Sequence, residues 1–186
     1  MTTARVDRAA RVRRALLELV AEHGLHGAGM SAVAKRAGVA TGTAYVHYSS
    51  KEQLLFETYR EVKRDLGEAV SAAVSAAAPA ARFAAIWKGV YLHLARDPAR
   101  ARFLVQLEAS PLVKQAQASA LDEGEDPLLA AAADPDVAPL LIDLPLEILF
   151  DLGFGPAIRL AAGSSRPSEP ELDLVAAACW RAITKP

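Results

Sequence analysis

The stretch AGVATGTAYVHYSSKEQLL, residues 37–55, decides the fold of this chain. It places a glycine-led turn, two threonines, two tyrosines and a histidine directly before a Ser-Ser-Lys-Glu sequence typical of a helix start. A helix that only supports a core is apolar on one face and charged on the other. So many hydroxyl and ring side chains in one short helix therefore indicate a helix that contacts a partner.

Two short helices are predicted on either side of the glycine-led turn. The apolar residues before the turn recur at helical spacing: Met30, Val33, Ala34 and Ala37. Gly29 is placed to start this helix and Gly38 to end it. The next helix is predicted to begin three residues later, near Thr41, and to end at Tyr48 or Ser49. This spacing is typical of a helix-turn-helix, whose second helix enters the major groove of DNA.

The faces of this second helix follow from its period of 3.6 residues. Ala44 and Tyr48 share one row and, with Val39, are expected to face the core. The other rows point outward: Thr41 with Tyr45, Gly42 with Val46, and Thr43 with His47. Hydroxyl, phenol and imidazole groups donate to phosphate oxygens, and Thr and Val methyl groups contact thymine. This face suits DNA, although a plain helical hairpin would also bury Tyr48.

Helix signals continue along the whole chain. The first helix is predicted over residues 6–23, with Gly24 as its C-terminal cap. Ser50 and Gln53 form a capping box that opens a long fourth helix reaching Ala78. Good N-cap residues precede prolines at four further places, namely Asp97, Ser110, Asp126 and Asp134.

Two longer helices are predicted to close the chain, over residues 145–162 and 169–183. Gly153, Gly155 and Pro156 interrupt the first of them, which predicts a kink or a close backbone contact. No segment shows the alternating pattern of a strand, so the predicted fold is all-α with about nine or ten helices.

Composition limits the class of protein. The chain has 186 residues, of which 52% are hydrophobic, and a net charge of −1. Residues 1–66 carry an excess of four basic charges and residues 67–186 an excess of five acidic ones, which points to a phosphate-bearing partner of the N-terminal part. No apolar run is long enough to span a membrane. The single cysteine, Cys179, fits a reducing cytoplasm, and no spacing of ligands predicts a metal or a cofactor.

Residues 8–66 resemble the DNA-binding head of TetR-family transcriptional regulators. The resemblance lies in the Ala-Gly-Val turn (37–39), the Gly-Thr-x-Tyr sequence (42–45), the aromatic at Tyr48 and the Ser-Lys-Glu-x-Leu-Leu opening of the fourth helix (50–55). It implies a DNA-binding domain over 6–66 and a helical ligand-binding and dimerisation domain over 67–186.

The resemblance also implies roles for individual residues. Phosphate contacts are expected from Thr43, Tyr45, His47 and Lys51, and base-edge contacts from Thr41, Gly42 and Val46. The sequence departs from the family pattern in two places. Ala28 and Gly29 stand where a hydroxyl residue usually opens the second helix. Ala40 replaces a common serine at the start of the recognition helix, which would leave Thr41 to cap it.

For the remainder of the chain, the resemblance implies a homodimer that binds a double-stranded operator and releases it when a small molecule enters the body. The expected interface is formed by the last two helices, with the following apolar positions: Leu146, Leu149, Phe150, Ile158, Leu172, Val175, Cys179, Trp180 and Ile183. The candidate pocket residues are aromatic or apolar: Trp87, Tyr91, Phe103, Leu107, Phe150 and Phe154. They favour a hydrophobic or aromatic effector, although such a stripe also suits a core.

The sequence also bears on other classes of function. The segment DEGED (122–126) carries four carboxylates that could suggest a metal site, but its composition is typical of a solvated loop. No serine or cysteine lies in a turn typical of a catalytic nucleophile, so an enzyme is disfavoured. A helical adaptor that no longer binds DNA remains an alternative, as does an activator of the same family. The family pattern favours a repressor.

Overall fold

A computed structural model of the chain describes residues 2–71, 78–121 and 133–186. In these ranges the chain forms ten α-helices, one short 3₁₀ segment and no β-strand, which confirms the all-α prediction. The helices are α1 (Thr2–Gly27), α2 (Met30–Ala37), α3 (Thr41–His47), α4 (Lys51–Ser71), α5 (Pro79–Arg96), α6 (Pro98–Glu108), α7 (Val113–Leu121), α8 (Leu146–Gly153), α9 (Gly155–Ala162) and α10 (Glu169–Ile183). The acidic segment 122–126 and the predicted cap at Asp126 lie outside the described residues.

The chain divides into two compact units. The first consists of Met1–Lys63 and Arg102–Gly124, and the second of Arg64–Ala101 and Glu125–Pro186. The first unit therefore contains the helix-turn-helix together with a later segment of the chain that carries most of α6 and all of α7. The sequence placed a single division between residues 66 and 67.

Glycines at the predicted positions interrupt the first two helices. At Gly24 the backbone leaves the helical region, with φ 71° and ψ 175°, so the regular part of α1 ends where predicted although the helix resumes briefly to Gly27. α2 begins after Gly29 and ends at Gly38, whose left-handed φ of 66° lets its N–H bond back to the last turn. Both predicted ends of α2 are confirmed.

The core of the first unit lies where α1, α2 and α3 pack against one another. Its buried side chains include the predicted apolar stripes of these helices: Val12, Leu16, Val20, Met30, Val33, Ala34, Ala37, Ala44 and Tyr48. α4 adds Leu54 and Leu55, which are fully buried. These apolar residues hold α3 against α1 and α2 on one face only.

The start of α4 is capped by Ser50 as predicted, but the return bond of the capping box goes to a different residue. The Ser50 hydroxyl accepts the Gln53 N–H at 3.1 Å, as in a capping box. The Gln53 side chain, however, reaches one residue further back and accepts the Ser49 N–H at 2.6 Å. The prediction that this helix reaches Ala78 concerns residues beyond Ser71 that the structure does not describe.

In the second unit α5 packs against α9 and α10, and α8 packs against the same two helices. The prediction of a single helix over 145–162 is wrong, because the helix is interrupted at Phe154 and the segment forms α8 and α9 instead. The predicted interruption is confirmed, and the backbone at the break is in contact with the rest of the unit. The buried indole Nε1 of Trp87 donates to the Gly153 carbonyl at 3.0 Å, and a Cβ at Gly153 would lie 3.5 Å from Ile183.

Two of the proline signals gave wrong helix starts. After Ser110 the chain makes a turn, with the Ser110 hydroxyl accepting the Leu112 N–H, and α7 begins only at Val113. After Asp134 there is a turn and then the 3₁₀ segment Ala138–Leu140 rather than an α-helix. In both places the capping oxygen is satisfied by a turn N–H, which removes the local reason to continue as a helix.

Candidate DNA-binding surface

The recognition helix α3 follows α2 after a turn of three residues, 38–40. The Val39 N–H donates to the Ala34 carbonyl at 3.0 Å, which ties the turn to the last turn of α2. Ala40 is the N-cap of α3 and no side chain caps the helix. The expectation that Thr41 caps it is therefore wrong: Thr41 is already the first helical residue, and the alanine before it has no oxygen to offer.

The outward face of α3 carries most of the residues proposed to meet DNA. Tyr45 is 51% exposed and Val46 is 70% exposed. Thr41 and Gly42 are also exposed, while Thr43 and His47 are partly exposed. A Cβ added at Gly42 would meet nothing within 4 Å, so the space beside this glycine is open. The helix thus presents a shallow centre between hydroxyl, phenol and imidazole groups.

The opposite face of α3 is anchored by a partly buried polar cluster around the buried Tyr48. Arg13 of α1 donates from Nη1 to the Tyr48 hydroxyl at 2.7 Å and from Nε to the Glu61 carboxylate of α4. The Tyr48 hydroxyl in turn donates to the Ala9 carbonyl at 3.2 Å. These bonds join α1, α4 and the end of α3, so they fix the angle at which α3 projects.

Electrostatics in this cluster favour the observed protonation states. Burial raises the pKa of the Tyr48 hydroxyl, against the opposing effect of the Arg13 charge. Burial also disfavours the charge of Arg13, but Tyr48 and the Glu61 carboxylate outweigh it and raise the pKa of Arg13. The guanidinium therefore stays charged and the phenol stays neutral, which is the arrangement that both hydrogen bonds require.

Lys51 stands at the first position of α4 and is partly buried. Its Nζ donates to the Leu25 carbonyl, just after the break in α1. An ammonium group has three donors, so this bond leaves two for a phosphate. The side chain is also held in place by the bond, which reduces the entropy that a phosphate contact would cost.

A second ion-pair cluster holds α2 to α1. Arg36 donates to both carboxylate oxygens of Glu22, at 2.9 and 2.7 Å, and its guanidinium also lies 3.5 Å from Glu18. The bond to Arg36 lowers the pKa of Glu22. This exposed pair contributes to the orientation of α2, although surface ion pairs add little stability.

Comparison with known proteins identifies the family. A model of bacterial regulatory proteins of the tetR family matches residues 3–58, and a tetracyclin repressor-like C-terminal domain matches residues 79–184. The chain belongs to the TetR family. As a TetR-family chain it is a transcription regulator with a DNA-binding helix-turn-helix, and the resemblance seen in residues 8–66 is confirmed.

Similar proteins include regulators of full length. An uncharacterized HTH-type transcriptional regulator of Haemophilus influenzae is 29% identical over 190 residues, covering all of both chains. A solved TetR-family structure from Haemophilus influenzae has a TM-score of 0.73 at 26% identity, over 98% of this chain and 100% of that one. Another from Marinobacter aquaeolei has a TM-score of 0.79 at 21% identity over the whole of both chains, which shows the shared fold.

The six candidate pocket residues divide between the two units. Phe103 and Leu107 are fully buried in the first unit. Trp87 and Tyr91 are buried in the second unit, where Phe150 and Phe154 are half-buried. In that second unit the Phe154 ring lies 5.2 Å from Phe83 and 5.8 Å from Phe150. The Phe83 ring also lies 5.3 Å from Trp180, so the four rings form one aromatic cluster.

The interface predicted on the last two helices also divides, this time by exposure. Ile158, Leu172, Cys179 and Ile183 are buried within the second unit itself. Leu146 is 46% exposed, and the remaining four predicted positions are partly exposed. The structure adds exposed apolar side chains that the sequence did not single out, at Ile148, Leu152 and Leu174.

Sequence reasoning missed the partners of Tyr48. The residue was placed in the core, but a buried tyrosine hydroxyl usually needs a hydrogen-bond partner, and this was the available signal. Two further findings bear on function. No helix among the described residues is long and apolar enough to cross a membrane. Residues 2–71, 78–121 and 133–186 contain no group of three His, Cys, Asp or Glu side chains arranged to hold a metal ion.

Proposed function

We propose that this regulator is a homodimeric repressor that a small hydrophobic or aromatic effector releases from its operator. The observation that supports the dimer most strongly is the apolar surface of α8 and α10. Ile148 and Leu152 are 43% and 40% exposed, and Leu174 is 71% exposed. Together with Leu146, they place four exposed apolar side chains on two helices that pack against each other, and an exposed apolar patch marks an interface.

A dimer would also supply what one head lacks. One head offers only seven candidate DNA-contacting residues, on α3 and at the start of α4, and only three of them are expected to face bases. These base contacts are too few for a single copy to bind one DNA sequence specifically. Two copies place two recognition helices on half-sites roughly 34–36 Å apart. In this proposal Thr43, Tyr45, His47 and Lys51 contact phosphates, while Thr41, Gly42 and Val46 face base edges.

Effector release follows from linkage. A ligand that binds the body more tightly in a conformation unable to match the half-site spacing lowers operator affinity by the same factor as DNA lowers ligand affinity. The aromatic cluster around Phe154 supports an apolar or aromatic ligand in the second unit. The same coupling with the opposite sign would make the ligand strengthen operator binding, as a ligand-responsive activator requires.

The first experiment measures DNA binding by fluorescence anisotropy. The purified chain is titrated onto DNA from upstream of its own gene, with scrambled DNA of equal length as the control, across a salt series. Tight and salt-dependent binding to the native DNA alone is expected, because phosphate contacts release counterions. Equally weak binding to both DNAs at every salt concentration would favour the adaptor.

The second experiment tests the dimer. Leu174→Glu places a charge in the proposed interface, and sedimentation should show monomers at concentrations at which the wild type is dimeric. Ala118→Glu, at an exposed position of α7, serves as the matched control and should remain dimeric. A wild type that is monomeric at all concentrations, or a Leu174→Glu variant that dimerises normally, would contradict the proposal.

A further inference from the structure

A groove of about 600 Å³ lies in the second unit between the C-terminal half of α5 and the start of α10. This volume is in the range of small-molecule sites. The side chains that line it do not include Phe83, Phe150 or Phe154, so the groove is separate from the aromatic cluster. Of the predicted pocket residues, Tyr91 alone lines it.

The groove has an apolar floor. Tyr91 and Leu172 are buried within the unit and line the groove, as does Leu92, which is 52% exposed. An apolar ligand that covered Leu92 would remove this surface from water, at about 25 cal/mol per Å². The floor therefore favours a ligand with an apolar body.

Charges on the rim are unequally compensated. Lys88 lies 2.8 Å from Asp173 and 3.9 Å from Glu169, so its charge is balanced by α10. Arg96 and Arg166 also line the groove. Among the described residues neither arginine has a carboxylate partner within ion-pair distance.

Arg166 is bound to the end of the helix that carries Arg96. Arg166 donates from Nη1 to the carbonyl of Ala95, the residue directly before Arg96. This bond holds the Arg166 side chain at the end of α5 and uses one of its five donors. The remaining donors of both guanidinium groups match the geometry of a carboxylate, which accepts two parallel hydrogen bonds from each arginine fork.

We propose that this groove binds a small organic carboxylate, whose anionic group pairs with Arg96 and Arg166 while its apolar body covers Leu92 and Tyr91. The groove is a second site, separate from the aromatic cluster, and its ligand is distinguished by a negative charge. It does not depend on the protein's action on DNA, because the inference concerns binding to the second unit alone.

The test compares two probes of equal shape, naphthalene-2-carboxylate and naphthalene-2-carboxamide, by isothermal titration calorimetry on the full chain without DNA. The wild type should bind the carboxylate at least about tenfold more tightly, since a charge-assisted pair of bonds contributes more than 1.4 kcal/mol. Arg96→Ala with Arg166→Ala should remove this preference. Arg159→Ala with Arg181→Ala, two exposed arginines on α9 and α10 that do not line the groove, should keep it.

Arg166 also ties its loop to α5, so its removal could disturb the groove. Arg96→Ala alone avoids this problem, because no hydrogen bond of Arg96 to the described part of the chain is lost, and it should reduce the preference about threefold. The proposal is overturned if the wild type binds neither probe, binds both equally, or keeps its preference in the double variant. Any of these results would leave the DNA-binding experiment unaffected, and a failure of that experiment would leave this one unaffected.

Discussion

The same substitution should affect different properties at the two tyrosines of the recognition segment. Tyr48→Phe should lower the stability of the fold, and Tyr45→Phe should weaken DNA binding. Tyr48→Phe removes a hydroxyl that accepts a hydrogen bond from Arg13 at 2.7 Å and donates one to the Ala9 carbonyl at 3.2 Å. The residue is 4% exposed, so water cannot replace the lost oxygen. Tyr45→Phe removes the hydroxyl of a residue that is 51% exposed.

The magnitudes follow from these contacts. A hydrogen bond to a charged group contributes about 1.5–3 kcal/mol and a neutral one about 1 kcal/mol. Arg13 keeps its bond to Glu61, so we expect Tyr48→Phe to lower the free energy of unfolding by about 2–3 kcal/mol. For a chain of this length that corresponds to a decrease in Tm of about 4–12 °C. Tyr45→Phe should change stability by less than about 0.5 kcal/mol.

Stability is best followed by far-ultraviolet circular dichroism in urea. Both tryptophans, Trp87 and Trp180, lie in the second unit, so their fluorescence does not report on the helix-turn-helix directly. The dichroism signal follows the helices of both units. Comparing the two probes on each variant shows whether the loss of the Tyr48 hydroxyl remains confined to the first unit.

The effect of Tyr45→Phe should appear in DNA binding rather than in stability. Tyr45→Phe is expected to weaken binding to all sequences by about 1 kcal/mol, roughly fivefold, without changing the salt dependence, because a neutral phosphate contact is lost. Lys51→Ala is the matched comparison, since it should reduce the salt slope by about one. If Tyr45→Phe destabilises the chain as much as Tyr48→Phe does, the assignment of the inner and outer faces of α3 is refuted.

Three further predictions concern other positions. Gly42→Ala should stabilise the chain by about 0.5–1 kcal/mol, because alanine favours the helix and its Cβ would meet no neighbouring atom. The same variant should weaken operator binding in the anisotropy assay. Gly38→Ala, at φ 66°, should instead destabilise the chain by about 1–2 kcal/mol in urea. Ala40→Ser should raise the urea midpoint by providing the missing cap of α3, worth about 1 kcal/mol, and an unchanged midpoint would contradict this reading. Burial, with the nearby Arg100 charge, lowers the pKa of His93, so the folded chain resists protonation and the free energy of unfolding should fall as the pH drops below about 6.5. His93→Gln should make that fall shallower in urea titrations, and an identical pH dependence would exclude this histidine as a cause.

The sequence by itself determined the local features of the helix-turn-helix. The ends of α2 and a start of α3 near Thr41 were predicted correctly, because glycine caps and the apolar period act within a few positions of the chain. The inner position of Tyr48 followed from the same period. The hydrogen-bond network around Tyr48 did not follow from this period. Arg13 lies 35 residues from Tyr48 and 48 residues from Glu61 in the sequence, so these groups meet only after α1 and α4 pack.

Only the tertiary structure decided which apolar residues of the last helices are core and which are surface. In α10 both Leu172 and Leu174 are apolar, yet Leu172 is 5% exposed and Leu174 is 71% exposed. The sequence singled out Leu172 as an interface residue and omitted Leu174. When a helix is apolar on more than one face, its sequence does not predict which face will be buried, because that depends on where α5 and α8 pack. The groove beside Arg96 and Arg166 depends on tertiary structure for the same reason, because its walls come from segments about 70 residues apart in the sequence that only folding brings together.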